Sequence, residues 1–186
     1  KNLPIVLLTK GLAIVDNELT TLSDKIKKLL KKQGHEEINI SAIKGPCLAA
    51  GLANKMRTGT VIANPDIKEA QFLKKIISTK YYSTEISNDL NGVELSGAIK
   101  NIYSMLIGAS EGLSNSKVPL EIQSKYYLNT AASLIHRSIS EMVEFVSHYG
   151  GNSGTVYGLA GLGDLYVSAI GGRNSLMGKY LGQGNL

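Results

Sequence analysis

Short apolar runs alternate with amphipathic helical stretches along the first half of the chain, up to about residue 88. Strands are predicted at residues 5–9, 38–43, 60–63 and 81–83, and helices at residues 18–33, 48–56 and 68–78. This alternation is typical of βα units that build a mostly parallel sheet. The first half of the chain is therefore predicted to be an α/β domain.

The pattern changes near residue 89, where strand-like runs disappear and apolar positions recur with a helical period. Helices are predicted at residues 90–111 and 120–149, with shorter pieces after Gly154 and glycine-rich joints at residues 150–151 and 171–172. We therefore divide the chain into two domains, residues 1–88 and residues 89–186.

One predicted helix is apolar or small on every face, and it begins in the stretch NGVELSGAIKN at residues 91–101. Asn91 is predicted to cap this helix and Glu94 to close a capping box. Across residues 95–110 the only charged residue is Lys100. Burial would lower the pKa of this lysine and make it a candidate general acid or base. A snorkelling lysine, or one that pairs structurally with a carboxylate, is equally consistent with the pattern.

The stretch GLAGLGDLYVSAIGGRN, at residues 158–174, contains a second isolated charge, Asp164. A carboxylate in apolar, glycine-rich surroundings needs a partner if it is buried, and Lys100 is the obvious candidate. Alternatively, Asp164 caps the helix that follows. Arg173 and Asn174 come after a Gly-Gly turn and open another helix, which suits the binding of an anionic group. A solvated loop arginine is the simpler interpretation of Arg173.

The first half offers two further candidates. In AIKGPCLAAG, at residues 42–51, a strand runs through Gly45 and Pro46 into a helix whose free amides could meet a phosphate. A plain turn between strand and helix is equally consistent. Lys10 follows the first predicted strand, and ligands of open α/β sheets gather at the carboxyl ends of the strands.

Together these segments resemble the NAD(P)-dependent glycerol-3-phosphate dehydrogenases. The resemblance rests on TKG, GP-x-x-A, NGVELSGAIKN, GLAGLGDL and RN-x-x-x-G, in this order. It implies the remainder of a Rossmann-type dinucleotide-binding α/β domain, followed by an all-α catalytic domain like the C-terminal helical domain of 6-phosphogluconate dehydrogenase. It also implies reduction of dihydroxyacetone phosphate to sn-glycerol 3-phosphate, or the reverse, with NAD or NADP, a step that supplies glycerophospholipid precursors.

The resemblance implies roles for individual residues. Lys100 would exchange a proton with the C2 oxygen of the substrate, and Lys10 and Asp164 would complete the catalytic group. The residues implied to bind substrate are Lys10, Gly45, Cys47, Lys100, Asp164, Gly172, Arg173 and Asn174. Those implied to bind the cofactor are Lys10, Ala49 and Arg173.

The chain departs from the family pattern in several places. The glycine-rich dinucleotide fingerprint and the last helices of the family are missing, so we expect a piece of a longer protein that is inactive alone. Cys47 and Gly172 stand where relatives usually have serine. The segment at residues 114–129 is longer than the family's glycine-rich link. Two rival functions remain: another two-domain β-hydroxyacid-type dehydrogenase, or a non-catalytic helical interaction fragment.

Composition narrows the class of protein further. A hydrophobic fraction of 43% and a charged fraction of 19% are typical of a folded globular chain. The single cysteine excludes an intrachain disulfide and favours the cytoplasm. The net charge of +5 comes from the first half, where lysines face solvent along one amphipathic helix, so we expect no nucleic-acid partner. We also expect neither membrane insertion nor a metal site, and leave a homodimer open.

Overall fold

The computed structural model describes residues 3–35, 38–116, 119 and 127–185. The strands are, in chain order, β1 (Ile5–Leu7), β2 (Leu12–Val15), β3 (Glu18–Thr21), β4 (Ile40–Lys44), β5 (Thr58–Ala63) and β6 (Tyr82–Ser87). The α-helices are α1 (Leu22–Lys32), α2 (Ala49–Ala53), α3 (Ile67–Ile77), α4 (Leu90–Asn115), α5 (Leu128–His148), α6 (Asp164–Gly171) and α7 (Arg173–Gly182). A 3₁₀ turn (Ser153–Tyr157) and a π-helical turn (Leu159–Gly163) lead into α6.

The main sheet has the spatial order β1-β4-β5-β6. β1 runs parallel to β4, and β5 runs parallel to β6, as predicted. The central pair, β4 and β5, is antiparallel, so the sheet is mixed. The connection between β4 and β5 contains only the short helix α2, and it reverses the chain so that β5 runs antiparallel to β4. The carboxyl ends of β1 and β4 nevertheless lie side by side.

The prediction of one helix over residues 18–33 is wrong in its first part. Residues 18–21 form β3, which pairs with β2 in an antiparallel hairpin. Asp16 and Asn17 form the turn, with φ values of 54° and 63°. Two successive residues with positive φ match the twist of a tight hairpin, and Asp and Asn tolerate this conformation. The helix therefore begins only at Leu22, capped by the Thr21 side chain, which accepts a bond from the backbone N–H of Asp24.

The predicted helix over residues 120–149 is confirmed only from Leu128, because residues 120–126 lie outside the described part of the chain. The predicted start of α4 also needs correction. Asp89, not Asn91, caps the helix: its Oδ1 accepts the backbone N–H of Gly92 at 2.9 Å. Asp89 Oδ2 accepts bonds from the backbone N–H of Asn152 and the hydroxyl of Thr155, which ties the start of α4 to the 3₁₀ turn.

Successive side chains of β4 and β5 point to opposite faces of the sheet, as the pleat requires. One face packs against the start of α4 through the cluster Ala42, Val61, Ala63, Leu90, Val93 and Ala160. The other face packs against α3 through Ile43, Ile62, Ala70 and Leu73. Helix α4 is thus the element that joins the sheet to the helical half.

The helical half surrounds the middle of α4. Its core is formed by Leu95, Tyr103, Ile107, Ala131, Met142, Val146, Val156, Leu165 and Ala169. Helix α7 packs closely on the later part of α4, because glycines face each other across the contact. An added Cβ at Gly108 would lie 2.0 Å from the carbonyl oxygen of Ser175, and one at Gly178 would lie 2.0 Å from that of Met105. None of the described helices has both the length and the apolar character needed to span a bilayer.

Candidate functional site

Two lysines from different halves of the chain meet at one carboxylate. Lys10, in the loop after β1, places its Nζ 2.5 Å from Oδ2 of Asp164. Lys100, in α4, places its Nζ 2.8 Å from Oδ1 of the same residue. Asp164 is the first residue of α6 and is only 1% exposed. The predicted pair of Lys100 and Asp164 is therefore confirmed in the geometry, and the carboxylate is engaged by lysines rather than used as a helix cap.

Lys100 is buried where α4 meets α6. Its residue is 3% exposed, and its ammonium also donates to the hydroxyl of Ser168, one turn after Asp164. Burial is the largest influence on this lysine and lowers its pKa, while the charge of Asp164 and the hydrogen bond to it raise the pKa. Lys10 lowers the pKa of Lys100 further through its positive charge. A depressed lysine pKa favours proton exchange near neutral pH.

These groups line a cavity of about 450 Å³. Its lining residues are Leu8, Lys10, Cys47, Leu48, Lys100, Asn101, Ser104, Asp164, Val167, Ser168, Gly172, Arg173 and Asn174. The lining contains three cationic side chains, those of Lys10, Lys100 and Arg173, and one carboxylate, that of Asp164. The cavity wall therefore carries a net positive charge. Such a cavity is suited to a small anionic ligand.

Arg173 and Asn174 open α7, as predicted, and face this cavity. Arg173 is exposed, and no carboxylate among the described residues forms an ion pair with it. The guanidinium is therefore available to a ligand. The first backbone N–H groups of a helix are also free to bind an anion.

Of the three residues predicted to bind ligand in the segment after β4, only one lines the cavity. Cys47 lies in the cavity wall, whereas Gly45 and Ala49 are not among the lining residues. Gly45 has a φ of 136°, and an added Cβ would lie 3.0 Å from Cα of Thr60. Packing against β5 therefore accounts for this glycine. Ala49 is exposed at the start of α2.

Burial is the largest influence on the Cys47 thiol and raises its pKa. The positive charge of Lys10 lowers this pKa, and the negative charge of Asp164 raises it. The side chain is therefore a protonated, weakly polar group at neutral pH, and a poor nucleophile.

Several lining residues were missed by sequence reasoning. Asn101 directly follows Lys100, Ser104 lies one turn beyond it, and Ser168 lies one turn after Asp164. Helical spacing from the two isolated charges would have found Ser104 and Ser168, because residues four apart share a helix face. Lys44, at the end of β4, does not line the cavity but was also missed. It is the only charged residue between Glu37 and Lys55, the same signal that identified Lys100.

Comparison with known proteins agrees with the predicted family. The family model described as NAD-dependent glycerol-3-phosphate dehydrogenase C-terminus matches residues 89–186. The NADP(+)-dependent glycerol-3-phosphate dehydrogenase of Archaeoglobus fulgidus is 35% identical over 97% of this chain, which covers 51% of that protein. The glycerol-3-phosphate dehydrogenase [NAD(P)+] of Syntrophobacter fumaroxidans is 32% identical over 97% of this chain, which covers 49% of that protein.

A solved structure shows the same fold. The glycerol-3-phosphate dehydrogenase from Coxiella burnetii superposes with a TM-score of 0.82 at 30% identity, over 97% of this chain and 50% of that one. The predicted fold class, a Rossmann-type remainder followed by a helical domain, is confirmed by this similarity. The chain spans about half the length of the relatives it matches. The family model matches the helical half of the chain, and the chain therefore belongs to the NAD-dependent glycerol-3-phosphate dehydrogenase family.

Proposed function

We propose that the protein containing this chain interconverts dihydroxyacetone phosphate and sn-glycerol 3-phosphate, with NAD or NADP as cofactor. The observation that carries the proposal is the convergence of Lys10 and Lys100 on Asp164 in a cationic cavity. A triose phosphate brings a carbonyl that needs a proton donor and a phosphate that needs cations. The cavity presents both kinds of group.

In the proposed reduction, Lys100 donates a proton to the C2 oxygen as that carbon becomes a secondary alcohol. A bound reduced nicotinamide would supply the hydride to C2. Burial of Lys100 makes its ammonium a better acid than a solvated lysine, because the charged form is disfavoured. The negative charge of Asp164 opposes this effect, and Asp164 and Ser168 together fix the direction of the ammonium.

The remaining predicted residues are proposed to bind either the substrate or the cofactor, according to their positions. Lys10, Arg173 and Asn174 hold the anionic oxygens of the substrate, with Cys47 and Gly172 completing the wall. The donor set suits a phosphorylated ligand, since Arg173 and Lys10 supply hydrogen-bonding cations. Gly45, which the resemblance assigns to substrate binding, lies outside the cavity lining and packs against β5. Ala49, Arg173 and Lys10 would hold the nicotinamide nucleotide, and Lys10 would also contact the substrate.

We further propose that residues 1–88 belong to the dinucleotide-binding domain and residues 89–186 to a truncated catalytic domain. The full protein is proposed to act in the cytoplasm. A homodimer is supported by exposed apolar side chains on α6 and α7, among them Ile170, Leu176 and Met177. Size-exclusion chromatography with light scattering of the full-length protein tests this: a dimer mass is expected, and a monomer would contradict the dimer.

The function is tested by assaying the full-length protein for reduction of dihydroxyacetone phosphate, with NADH and NADPH in separate reactions. The wild type is expected to turn over. Lys100→Ala should lower kcat by roughly 10²- to 10⁴-fold, the range of general acid–base catalysis, while nicotinamide nucleotide binding is retained. Near-normal turnover by the variant would contradict the role of Lys100.

The same assay separates the rival functions. Turnover of a hydroxycarboxylate, with none of the triose phosphate, would favour another β-hydroxyacid-type dehydrogenase. A wild type that binds neither nucleotide nor substrate would favour the non-catalytic helical fragment.

A further inference from the structure

Lys44 is, after Lys100, the second buried lysine among the described residues, and it lies just behind the cavity wall. It is the last residue of β4 and only 2% exposed, and it is not one of the residues lining the cavity. Neither the family resemblance nor the proposed mechanism gives it a role. Burying an ammonium is unfavourable unless it gains compensating bonds, so its contacts need an explanation.

The first contact joins Lys44 to the strand that leads to Lys10. The Nζ of Lys44 donates to the backbone carbonyl of Leu7 at 3.3 Å. Leu7 is the last residue of β1 and pairs with Ala42 of β4, so Lys44 reaches across the carboxyl edge of the sheet. Lys10 follows Leu7 by three residues. The bond therefore holds the point where the chain leaves the sheet toward Lys10.

The second contact joins Lys44 to the helix that carries Lys100. Its aliphatic stem lies against Gly97 of α4, where an added Cβ would come 2.9 Å from Cδ of Lys44 and 3.2 Å from Cγ. Gly97 precedes Lys100 by three residues, so the two lie on neighbouring positions of the helix surface. Lys44 thus contacts α4, which carries Lys100, and the end of β1, which leads to Lys10.

Three charged residues influence the ammonium of Lys44: Glu94, Asp164 and Lys10. Burial is the largest influence on Lys44 and lowers its pKa. Glu94, on α4 and 1% exposed, raises this pKa, as does Asp164 on α6, while Lys10 lowers it. Glu94 Oε2 accepts the backbone N–H of Ser23 at 3.4 Å, and Oε1 has no hydrogen-bond partner among the described residues. Glu94 therefore supplies a buried negative charge that compensates the ammonium, rather than the capping box expected from the sequence.

We propose that Lys44 is a positioning residue: by linking the end of β1 to α4, it sets the place of Lys10 against the pair of Lys100 and Asp164. This inference rests on the proposed function, in which Lys10 holds the anionic substrate. Lys100 keeps its own bonds to Asp164 and Ser168 without Lys44. Loss of the Lys44 ammonium therefore loosens Lys10 and leaves Lys100 in place.

The test uses the full-length protein and Lys44→Met, which keeps an apolar stem against Gly97 and removes the ammonium. Calorimetric binding of sn-glycerol 3-phosphate and steady-state reduction of dihydroxyacetone phosphate are both measured. Loss of a charge-assisted contact predicts roughly tenfold weaker binding and a matching rise in KM. The kcat should stay within about threefold of wild type, because Lys100 is undisturbed. Lys68→Met, at an exposed position in α3, is the matched control and should change neither value.

A second variant separates positioning from a simple loss of charge balance. Lys44→Met leaves Glu94 buried without its cation, which alone could disturb packing. In the double variant Lys44→Met/Glu94→Gln that charge is gone, yet the tether to Leu7 is still absent. Positioning predicts that the weak binding persists. Recovery of wild-type affinity in the double variant would overturn the proposal.

A crystal structure of full-length Lys44→Met gives a readout that does not depend on the substrate. The contact between Lys10 and Asp164 should lengthen or break, while that between Lys100 and Asp164 is retained. An unchanged Lys10 contact would overturn the positioning role even if the wild type proved to act on another substrate. If instead the wild type fails to bind sn-glycerol 3-phosphate while the Lys10 contact still breaks in the variant, the proposed function fails and the positioning role stands.

Discussion

Lys100 and Lys44 are both buried, but their ammonium groups have different partners. Lys100 meets Asp164 and Ser168 directly, whereas Lys44 meets a backbone carbonyl and lies within electrostatic reach of Glu94. Burial dominates at both sites and lowers both pKa values, that of Lys44 to about 8. The protonation of Lys44 is therefore expected to change in a pH range where most lysines remain charged.

This depressed pKa predicts how stability depends on pH. Between about pH 8 and the ordinary lysine value, the unfolded chain holds a proton at Lys44 that the folded chain has lost. Stability rises with pH where the unfolded state binds more protons. The free energy of unfolding of the wild type, taken relative to Lys44→Met, should therefore increase by about 2 kcal/mol from pH 7 to pH 9.5.

Urea unfolding of both full-length proteins at the two pH values measures this difference. Taking the variant as reference cancels the titration of all other groups that the two proteins share. A difference that is constant with pH would mean that Lys44 keeps an ordinary lysine pKa in the folded protein.

The chemistry of Lys100 and Asp164 was predictable because each is the only charge in a long apolar segment. Lys44 carries the same signal in a shorter segment, between Glu37 and Lys55. The sequence could not predict which of these charged residues contact each other in the folded protein. The bond from Lys44 to Leu7 and the approach of Lys10 to Asp164 join residues far apart in the chain, and no local pattern encodes either contact.

At the scale of elements, the contact between α4 and α7 determines where the anion-binding groups lie. Gly108 and Gly112 on α4 face Gly178 and Gly182 on α7, and each added Cβ would lie within about 2.1 Å of a backbone oxygen of the other helix. No side chain larger than hydrogen fits at this distance. Arg173 and Asn174 begin α7, so this close packing fixes their position relative to Lys100.

We predict that Gly108→Ala in the full-length protein lowers stability and weakens substrate binding together. The new methyl group would push α7 away at Ser175, directly after Arg173 and Asn174. Overpacking of this kind typically costs about 1–3 kcal/mol. Urea unfolding measures the stability, and the KM for dihydroxyacetone phosphate measures the effect on binding.

Gly51→Ala is the matched control, because an added Cβ there meets nothing within 4 Å on α2. It should be neutral, or stabilise by up to about 1 kcal/mol through helix propensity. Wild-type stability in Gly108→Ala would show that the two helices can separate without loss, and would contradict the packing account.

Element types were predictable where the apolar pattern was long, as in α4 and α5. The hairpin of β2 and β3 was missed because its strands are four residues each, too short for a clear period, and its only signal is the turn at Asp16 and Asn17. The cap of α4 was assigned two residues late, because Asn91 and Asp89 are both good capping residues. Tertiary bonds from Asp89 to the 3₁₀ turn decided between them.

At the scale of the whole molecule, Asp164 forms ion pairs with lysines from both halves of the chain. Lys10 comes from the sheet side and Lys100 from the helical side, and both bind this carboxylate. The order of motifs predicted that these residues belong to one site. The chain covers about half the length of the relatives it matches.

The most direct test of this account is the pH dependence of turnover in full-length Asp164→Asn, with the exposed Asp66→Asn as control. Without the carboxylate, Lys10 loses its partner and the pKa of Lys100 falls further, since Asp164 is what raises it. We predict that kcat for dihydroxyacetone phosphate drops by roughly 10²-fold or more and that the alkaline limb of the profile moves to lower pH. Turnover within about threefold of wild type, with an unchanged profile, would contradict the central role of Asp164.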